Sequence, residues 1–340
     1  MTRLDEYGKK YPDLIWNIWL FFADRSIKSS YIKILEQRGW NPDFAPKCSL
    51  DFSIKFGKEY EEISSRGNGI MLQPKTVSKI CDKLCEKGVM SKIIVGSLNT
   101  QDGEMNFYEV LLQKSISEYL KDKEMLSRHL NNLVYGFPYI YESNKNNVRP
   151  IWVKKNNRMS NGSCFNIAIG IVTAMHCIKD CDEIKIEGVN SDMLKTAKIF
   201  GMDGIDLVLI QPQNDYQWKD KFLINDGEIL DEIMVMGYPN HSGFDRFLTA
   251  TTGAIAAIEQ SYLTKYKLML LTGKIKGGNS GGPVINIDGQ IVGIITEAPT
   301  SEGDYDKFGY GMAIPSSYLS QLTEIENDFN FVDEFSQVYQ

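Results

Sequence analysis

The pattern of apolar and polar positions divides the chain in two. Before about residue 135 apolar residues recur at helical spacing; beyond about residue 148 they form short runs separated by turn residues. Tyr11 to Ala23 reads as a helix, with Pro12 suited to its first turn and Asp24 to its exit. Trp16, Trp19, Phe21 and Phe22 make it apolar nearly all round, which predicts burial or a partner. A second helix is predicted over Ser30 to Gln37, ending near Gly39, while Asn41 to Ser65 shows no single period. In Thr76 to Lys87, Val77, Ile80, Cys81 and Leu84 share one helix face, Lys75, Lys79 and Lys83 take the opposite one, and Gly88 stops the helix. Two strand-like runs follow, Ser91 to Val95 and Met105 to Leu112, around the polar tip Asn99 to Glu104, and then a helix from about Ser115 to Leu133.

Tyr135 to Asn147, with Gly136, Pro138 and the polar run from Glu142, reads as a linker. Ten β-runs with turn signals follow, from Phe165–Ile169 to Tyr310–Ile314, a spacing that suits an all-β pair of barrels. The expected organisation is multidomain α+β. It has a mostly helical domain over 1–145, a β domain over 146–322, and an acidic, aromatic tail over 323–340 that forms a helix or a docking segment.

Composition refines this. The chain has 340 residues, room for about two domains, and a net charge of −7, which argues against nonspecific nucleic-acid binding by the whole molecule. The first 150 residues are mildly basic, with 22 basic and 19 acidic groups, and the remainder is acidic. Met1 is followed by charged residues rather than by a basic start and an apolar run, and Leu14 to Ala23 is about half a membrane span, so a cytoplasmic protein without membrane attachment is expected. The six cysteines contain no C-x₂-C pair, so no metal and no cofactor is expected.

Candidate chemistry centres on Lys276 to Val284, the run KGGNSGGPV. Glycines around Ser280 permit a tight turn and leave room for a substrate, which makes Ser280 a candidate nucleophile; the plainer alternative is a Gly-rich hairpin. A serine hydroxyl needs a base, and the base needs an acid to fix its tautomer. His176 lies in Gly170 to Cys177 (GIVTAMHC) and Asp206 in Asp203 to Ile210 (DGIDLVLI), with Asp203 as the rival acid. The order His, Asp, Ser discriminates. All three histidines, His129, His176 and His241, precede Ser280, whereas the α/β-hydrolase elbow places its histidine after the serine.

With these residues in view, Val148 to Leu322 resembles a trypsin-like (chymotrypsin-fold) serine protease domain. Thr173 to Cys177 resembles T-A-A-H-C with Met175 for the second alanine, Asp206 to Leu209 resembles D-[IL]-A-L, and Gly278 to Pro283 matches G-N-S-G-G-P. Gly311 to Ser316 resembles the G-x-A-I-P-S of the HtrA-like bacterial branch. The resemblance implies catalysis by His176, Asp206 and Ser280, an oxyanion hole from the Gly278 and Ser280 N–H groups, and a protein substrate paired along Ile295, Thr296 and Glu297. It puts Lys274 near the floor of the primary pocket, where an acidic preference or a solvent-directed lysine are the two readings. Relatives often staple the histidine loop through the cysteine after the histidine; here Cys177 has that place, with Cys164 the nearby candidate, and free thiols are expected in a reducing compartment. Asn279 replaces the aspartate that pairs with a newly cut terminus in digestive relatives, so regulation by conformation or a protein partner through the N-terminal domain is expected.

The N-terminal helix, glycine stop, two strands around a polar tip and helix resemble a winged helix-turn-helix domain. That implies nucleic-acid contact through Lys75, Lys79 and Lys83, or a docking module with a solvated lysine face. The leading expectation is a cytoplasmic serine endopeptidase, resembling bacterial stress or antiphage effector proteases. The alternatives are a DNA-binding regulator controlled by self-cleavage and a catalytically silent scaffold.

Overall fold

In the computed structural model the described residues are all but 1–3, 64–69, 94–98, 101–102, 105, 112–122, 213–221, 241–246, 262–265, 297–308 and 337–340. The chain divides into two compact units, Met1–Ile140 and Tyr141–Gln340.

The first unit begins with helices α1 (Asp5–Lys10), α2 (Leu14–Ala23) and α3 (Ile32–Gln37). Strand β1 (Lys47–Cys48), α4 (Ser49–Phe56), α5 (Pro74–Glu86), β2 (Met90–Ile93), the short pair β3 (Asn99–Thr100) and β4 (Gly103–Glu104), β5 (Phe107–Val110) and α6 (Lys123–Tyr135) follow. The all-round apolarity of α2 is satisfied by burial. Leu14, Ile15, Trp16, Ile18 and Trp19 are closed off, and Phe21 meets Phe52 and Phe56 edge-on while Phe22 meets Tyr108. In α5 the predicted apolar face is the buried one, and Lys75, Lys79 and Lys83 are exposed. Gly88 takes a left-handed φ of 70°, the conformation a glycine stop supplies.

The aperiodic Asn41–Ser65 stretch holds β1 and α4, organised by Asp51. Its carboxylate accepts from the Cys48 N–H at 2.9 Å, the Ser29 hydroxyl at 2.8 Å and the Ser30 N–H at 2.8 Å. This cap sets α4 directly after a strand of two residues. Strands β1, β5 and β2 form an antiparallel sheet in that order. The first part of the helix expected over 115–133 falls outside the described residues. The stretch expected as a polar linker is instead helical, as α7 (Phe137–Asn144) and a 3₁₀ turn over Lys145–Asn147.

The second unit contains two β-structures. One is a seven-stranded antiparallel sheet of β6 (Val148–Lys155), β7 (Arg158–Ile167), β8 (Gly170–Thr173), β9 (Glu183–Ile186), β10 (Lys198–Gly201), β11 (Val208–Gln211) and β18 (Thr323–Ile325). The short helix α8 (Ser191–Lys195) lies between β9 and β10 in sequence. The strand order is β18-β10-β11-β8-β7-β6-β9. The other is a closed barrel of β12 (Glu232–Gly237), β13 (Thr249–Gln260), β14 (Lys267–Leu271), β17 (Gly311–Pro315), β16 (Ile291–Ile295) and β15 (Pro283–Asn286). Its core packs Ile233, Val235, Ile255, Leu271, Val292 and Ile295.

The tail over 323–340 is neither a helix nor a free segment where it is described. It leaves β18 at one edge of the seven-stranded sheet and reaches β9 at the other. There Ile184 donates its N–H to the Asn330 carbonyl at 2.9 Å and accepts from the Val332 N–H at 2.8 Å. Phe331 is fully buried in the core with Ile151, Ile184 and Ile199. Asn327 donates to the carbonyls of Leu194 and Ala197, and Asp333 accepts from the Ser191 N–H and hydroxyl. The tail is a strap that joins the two edges of the sheet.

Candidate active site

β8 ends at Thr173, and a 3₁₀ turn over Met175–Cys177 lifts His176 out of the sheet. β11 pairs with β8 in the register Val208↔Thr173, which brings Asp206, two residues before Val208, beside the histidine turn. The contact is twofold. The His176 backbone N–H donates to Asp206 Oδ1 at 2.7 Å, and the imidazole Nδ1 lies 2.6 Å from Asp206 Oδ2. Thr296, directly after β16 and itself buried, donates its hydroxyl to the same Oδ2 at 2.5 Å. Asp206, not Asp203, therefore takes both His176 groups. Asp203 offers its backbone carbonyl to the Tyr266 hydroxyl at 2.8 Å. With Nδ1 held by Oδ2, Nε2 is the imidazole nitrogen turned away from Asp206.

Burial pulls the His176 pKa down, but the Asp206 hydrogen bond and the Cys177 contact outweigh it, and the imidazole titrates above its ordinary range. Cys177 Sγ sits 3.7 Å from His176 Nε2 and 3.5 Å from the Ser280 carbonyl oxygen, so one thiol touches both the histidine ring and the serine backbone.

The serine loop explains its own composition. Gly278 and Gly281 have φ of 96° and 79°, values that side chains other than glycine's rarely adopt. A Cβ on Gly278 would sit 2.4 Å from the Tyr238 carbonyl oxygen, on Gly281 2.2 Å from that of Ser163, and on Gly282 2.3 Å from that of Met236. The turn is tied by Asn279 N–H to the Lys276 carbonyl, Gly282 N–H to the Asn279 carbonyl, and a reciprocal pair linking Gly281 and Gly282 to Ile295. Among the described residues neither the Gly278 nor the Ser280 N–H makes a hydrogen bond, which leaves two donors beside the Ser280 side chain.

Ser163, on β7, belongs to no sequence motif. Its N–H donates to the Ser280 carbonyl at 2.8 Å, its hydroxyl donates to the Gly278 carbonyl at 2.7 Å and accepts from the Tyr238 N–H, and its carbonyl accepts from the Thr173 hydroxyl. It fastens the serine loop of the barrel to the sheet that carries His176. The Thr296–Asp206 bond carries no motif either; its sequence signal is a hydroxyl-bearing residue at the end of the strand that follows the serine motif.

Of the expected substrate-pairing residues, Ile295 is corrected. Its side chain is in the barrel core and both its backbone groups are taken by the serine loop, so it presents nothing to a substrate strand. Thr296 gives its N–H to the Met312 carbonyl and its hydroxyl to Asp206. Glu297 and His241 lie outside the described residues. Lys274 is exposed, with its carbonyl bonded to the Thr251 hydroxyl, while its neighbour Ile275 abuts Gly311, where an added Cβ would fall 2.1 Å from Ile275 Cδ1. Lys75, Lys79 and Lys83 belong to the first unit. All six cysteines are unpaired thiols, Cys164 and Cys177 included, and the described residues contain no cluster of metal-ligand type.

Residues 162–294 match the family model described as a trypsin-like peptidase domain. Protease Do-like 2, chloroplastic, of Arabidopsis thaliana is 30% identical over 188 residues, covering 52% of this chain and 30% of that protein. The probable periplasmic serine endoprotease DegP-like of Chlamydia muridarum is 32% identical over 164 residues, covering 45% of this chain and 31% of that one. The chain thus spans less than a third of the length of either relative. The crystal structure of the Rv3671c protease from M. tuberculosis, active form, superposes with a TM-score of 0.43 at 17% identity, covering 54% of this chain and 81% of that one. By its motifs, its paired β-structures and its sequence matches, the region over residues 162–294 is a trypsin-like peptidase domain, similar in sequence to the Do-like and DegP-like serine proteases.

Proposed function

We propose that the chain is a serine endopeptidase in which Ser280 attacks the scissile carbonyl and His176 takes its proton and returns it to the leaving amine. Asp206 holds the imidazole in the tautomer that leaves Nε2 as the acceptor, and stabilises the cation that forms. The Gly278 and Ser280 N–H groups receive the developing oxyanion. The observation that carries this reading is the line Thr296–Asp206–His176. A carboxylate fixed by three donors is a built orienting group rather than a surface acid. Loss of the covalent fluorophosphonate label on replacing Ser280 or His176 is the test, and full retention in Ser280→Ala would sink the reading. The unpaired, buried thiols of Cys164 and Cys177 support work in a reducing compartment, the cytoplasm.

A pH consequence follows from the histidine. Only neutral His176 can accept the serine proton, so activity is lost as pH falls through its raised pKa. The acid limb of the kcat/KM profile is expected with a midpoint above about 6.5, the unperturbed histidine value. A midpoint at or below that value would mean that Asp206 does not stabilise the imidazolium in solution.

The first unit is proposed to be a winged-helix domain that regulates the peptidase by contact with DNA or a protein. The supporting observation is its topology. A strand of two residues, two helices and a strand are followed by a short hairpin and a strand, in the sheet order β1-β5-β2. Helix α5 exposes Lys75, Lys79 and Lys83, of which Lys83 is paired with Glu86 at 2.7 Å. If α5 meets phosphates, Lys75→Ala with Lys79→Ala is expected to lower the salt slope of DNA binding by about two, near one per lysine. An unchanged slope would leave protein docking as the role of this face. With DNA bound, a regulator limited by self-cleavage is the second reading.

A further inference from the structure

A cleft of about 630 Å³ opens beside His176 and Asp206, within the range of about 300–1,000 Å³ usual for ligand sites. Three parts of the chain line it: the histidine turn through Cys181, the segment Met202 to Asp206, and the strap through Ile325, Asp328 and Phe329. Its inner wall is apolar. Met175, Ile325 and Gly201 meet closely enough that a Cβ on Gly201 would lie 3.0 Å from Ile325 Cδ1 and 3.1 Å from Met175 Cε. Phe329 and Ile178 extend that wall and pack into the core of the sheet.

The charged lining differs from the apolar part. Asp203 and Asp328 line the cleft from two different segments, both exposed, and among the described residues neither has an ion-pair partner. Asp180, also in the lining, stands 4.0 Å from Lys155, and among the described residues Lys179 is the one lysine that lines the cleft. Asp206 is engaged by His176 and Thr296. The unbalanced charge is negative, above an apolar wall, next to the imidazole that would act on a peptide.

We propose that this cleft is a subsite for a lysine or arginine side chain of the peptide substrate, flanking the scissile bond on the His176 side. The strap residues Ile325, Asp328 and Phe329 form its specificity-determining wall. The apolar stem of such a side chain matches the Met175–Ile325–Phe329 surface, and its cationic head matches Asp203 and Asp328. The assignment rests on the peptidase reading above, and it gives the tail a function beyond sheet closure.

The test is peptide binding to the full chain carrying Ser280→Ala, so that hydrolysis plays no part. Fluorescent alanine–valine octapeptides bearing a single lysine, moved one position at a time, are compared by anisotropy with norleucine counterparts. At one position the lysine peptide is expected to bind about five- to tenfold tighter than its norleucine partner, as two exposed carboxylates warrant. The preference should vanish in Asp203→Asn with Asp328→Asn while norleucine affinity stays unchanged; both positions are exposed, so the fold is retained. No lysine preference at any position, absence of binding included, overturns the subsite, and a preference that survives both substitutions overturns the residues assigned to it. Failure of the wild type to take a fluorophosphonate label would instead count against the peptidase reading itself.

Discussion

Ser280→Ala is expected to lower peptide hydrolysis by about 10⁶-fold and to abolish fluorophosphonate labelling, because nothing else in the loop can supply the attacking oxygen. Asp206→Asn is expected to cost about 10⁴-fold in kcat with little loss of binding, since an amide in place of Oδ2 favours the wrong imidazole tautomer. The loop should keep its shape in Ser280→Ala. Its conformation is set by Gly278, Gly281 and Gly282 and by Ser163, which bonds the Ser280 carbonyl rather than its hydroxyl. The comparison therefore needs steady-state rates on a peptide together with an unchanged melting curve. Residual activity within tenfold of wild type in Ser280→Ala would place the chemistry elsewhere.

Phe331→Ala is expected to destabilise the second unit by about 3–5 kcal/mol, the usual cost of emptying a fully buried phenylalanine site. For a unit of this size that lowers its calorimetric transition by roughly 6–20 °C, while the first unit's transition stays in place. The strap's other aromatic is a control. Phe329 is only partly buried, and its replacement should cost less. A shift under about 2 °C for Phe331→Ala would show that the sheet holds without its strap.

Much of this was legible where the cause is local. The lysine-opposed face of α5 and the short runs that became β12 to β17 depend on residues a few positions apart, so periodicity finds them. β6 does not stand out because Arg149 and Pro150 follow its first residue and two lysines close it; its pairing with both β7 and β9 overrides that composition. β8 hid inside the histidine motif. The strap is acidic and mostly exposed, with Phe331 its one fully buried residue among those described, and its partners lie well over a hundred residues earlier, so no window along the chain displays them. The same holds at the site. Three motifs announced His176, Asp206 and Ser280, whereas the hydroxyls of Ser163 and Thr296 act across 115 and 90 residues of sequence and carry no motif.

The seven-stranded sheet is built from residues 148–211 together with residues 323–332, and the whole six-stranded barrel is made between them. Synthesis runs from the first residue onward, so most of the sheet leaves the ribosome with β10 unpaired on its outer side and the Phe331 site empty. Ser280 emerges later still, on a loop whose carbonyls must find Ser163 in the earlier sheet. Ser280 thus emerges after the sheet residues that fasten its loop and before the strap that closes the sheet at both edges.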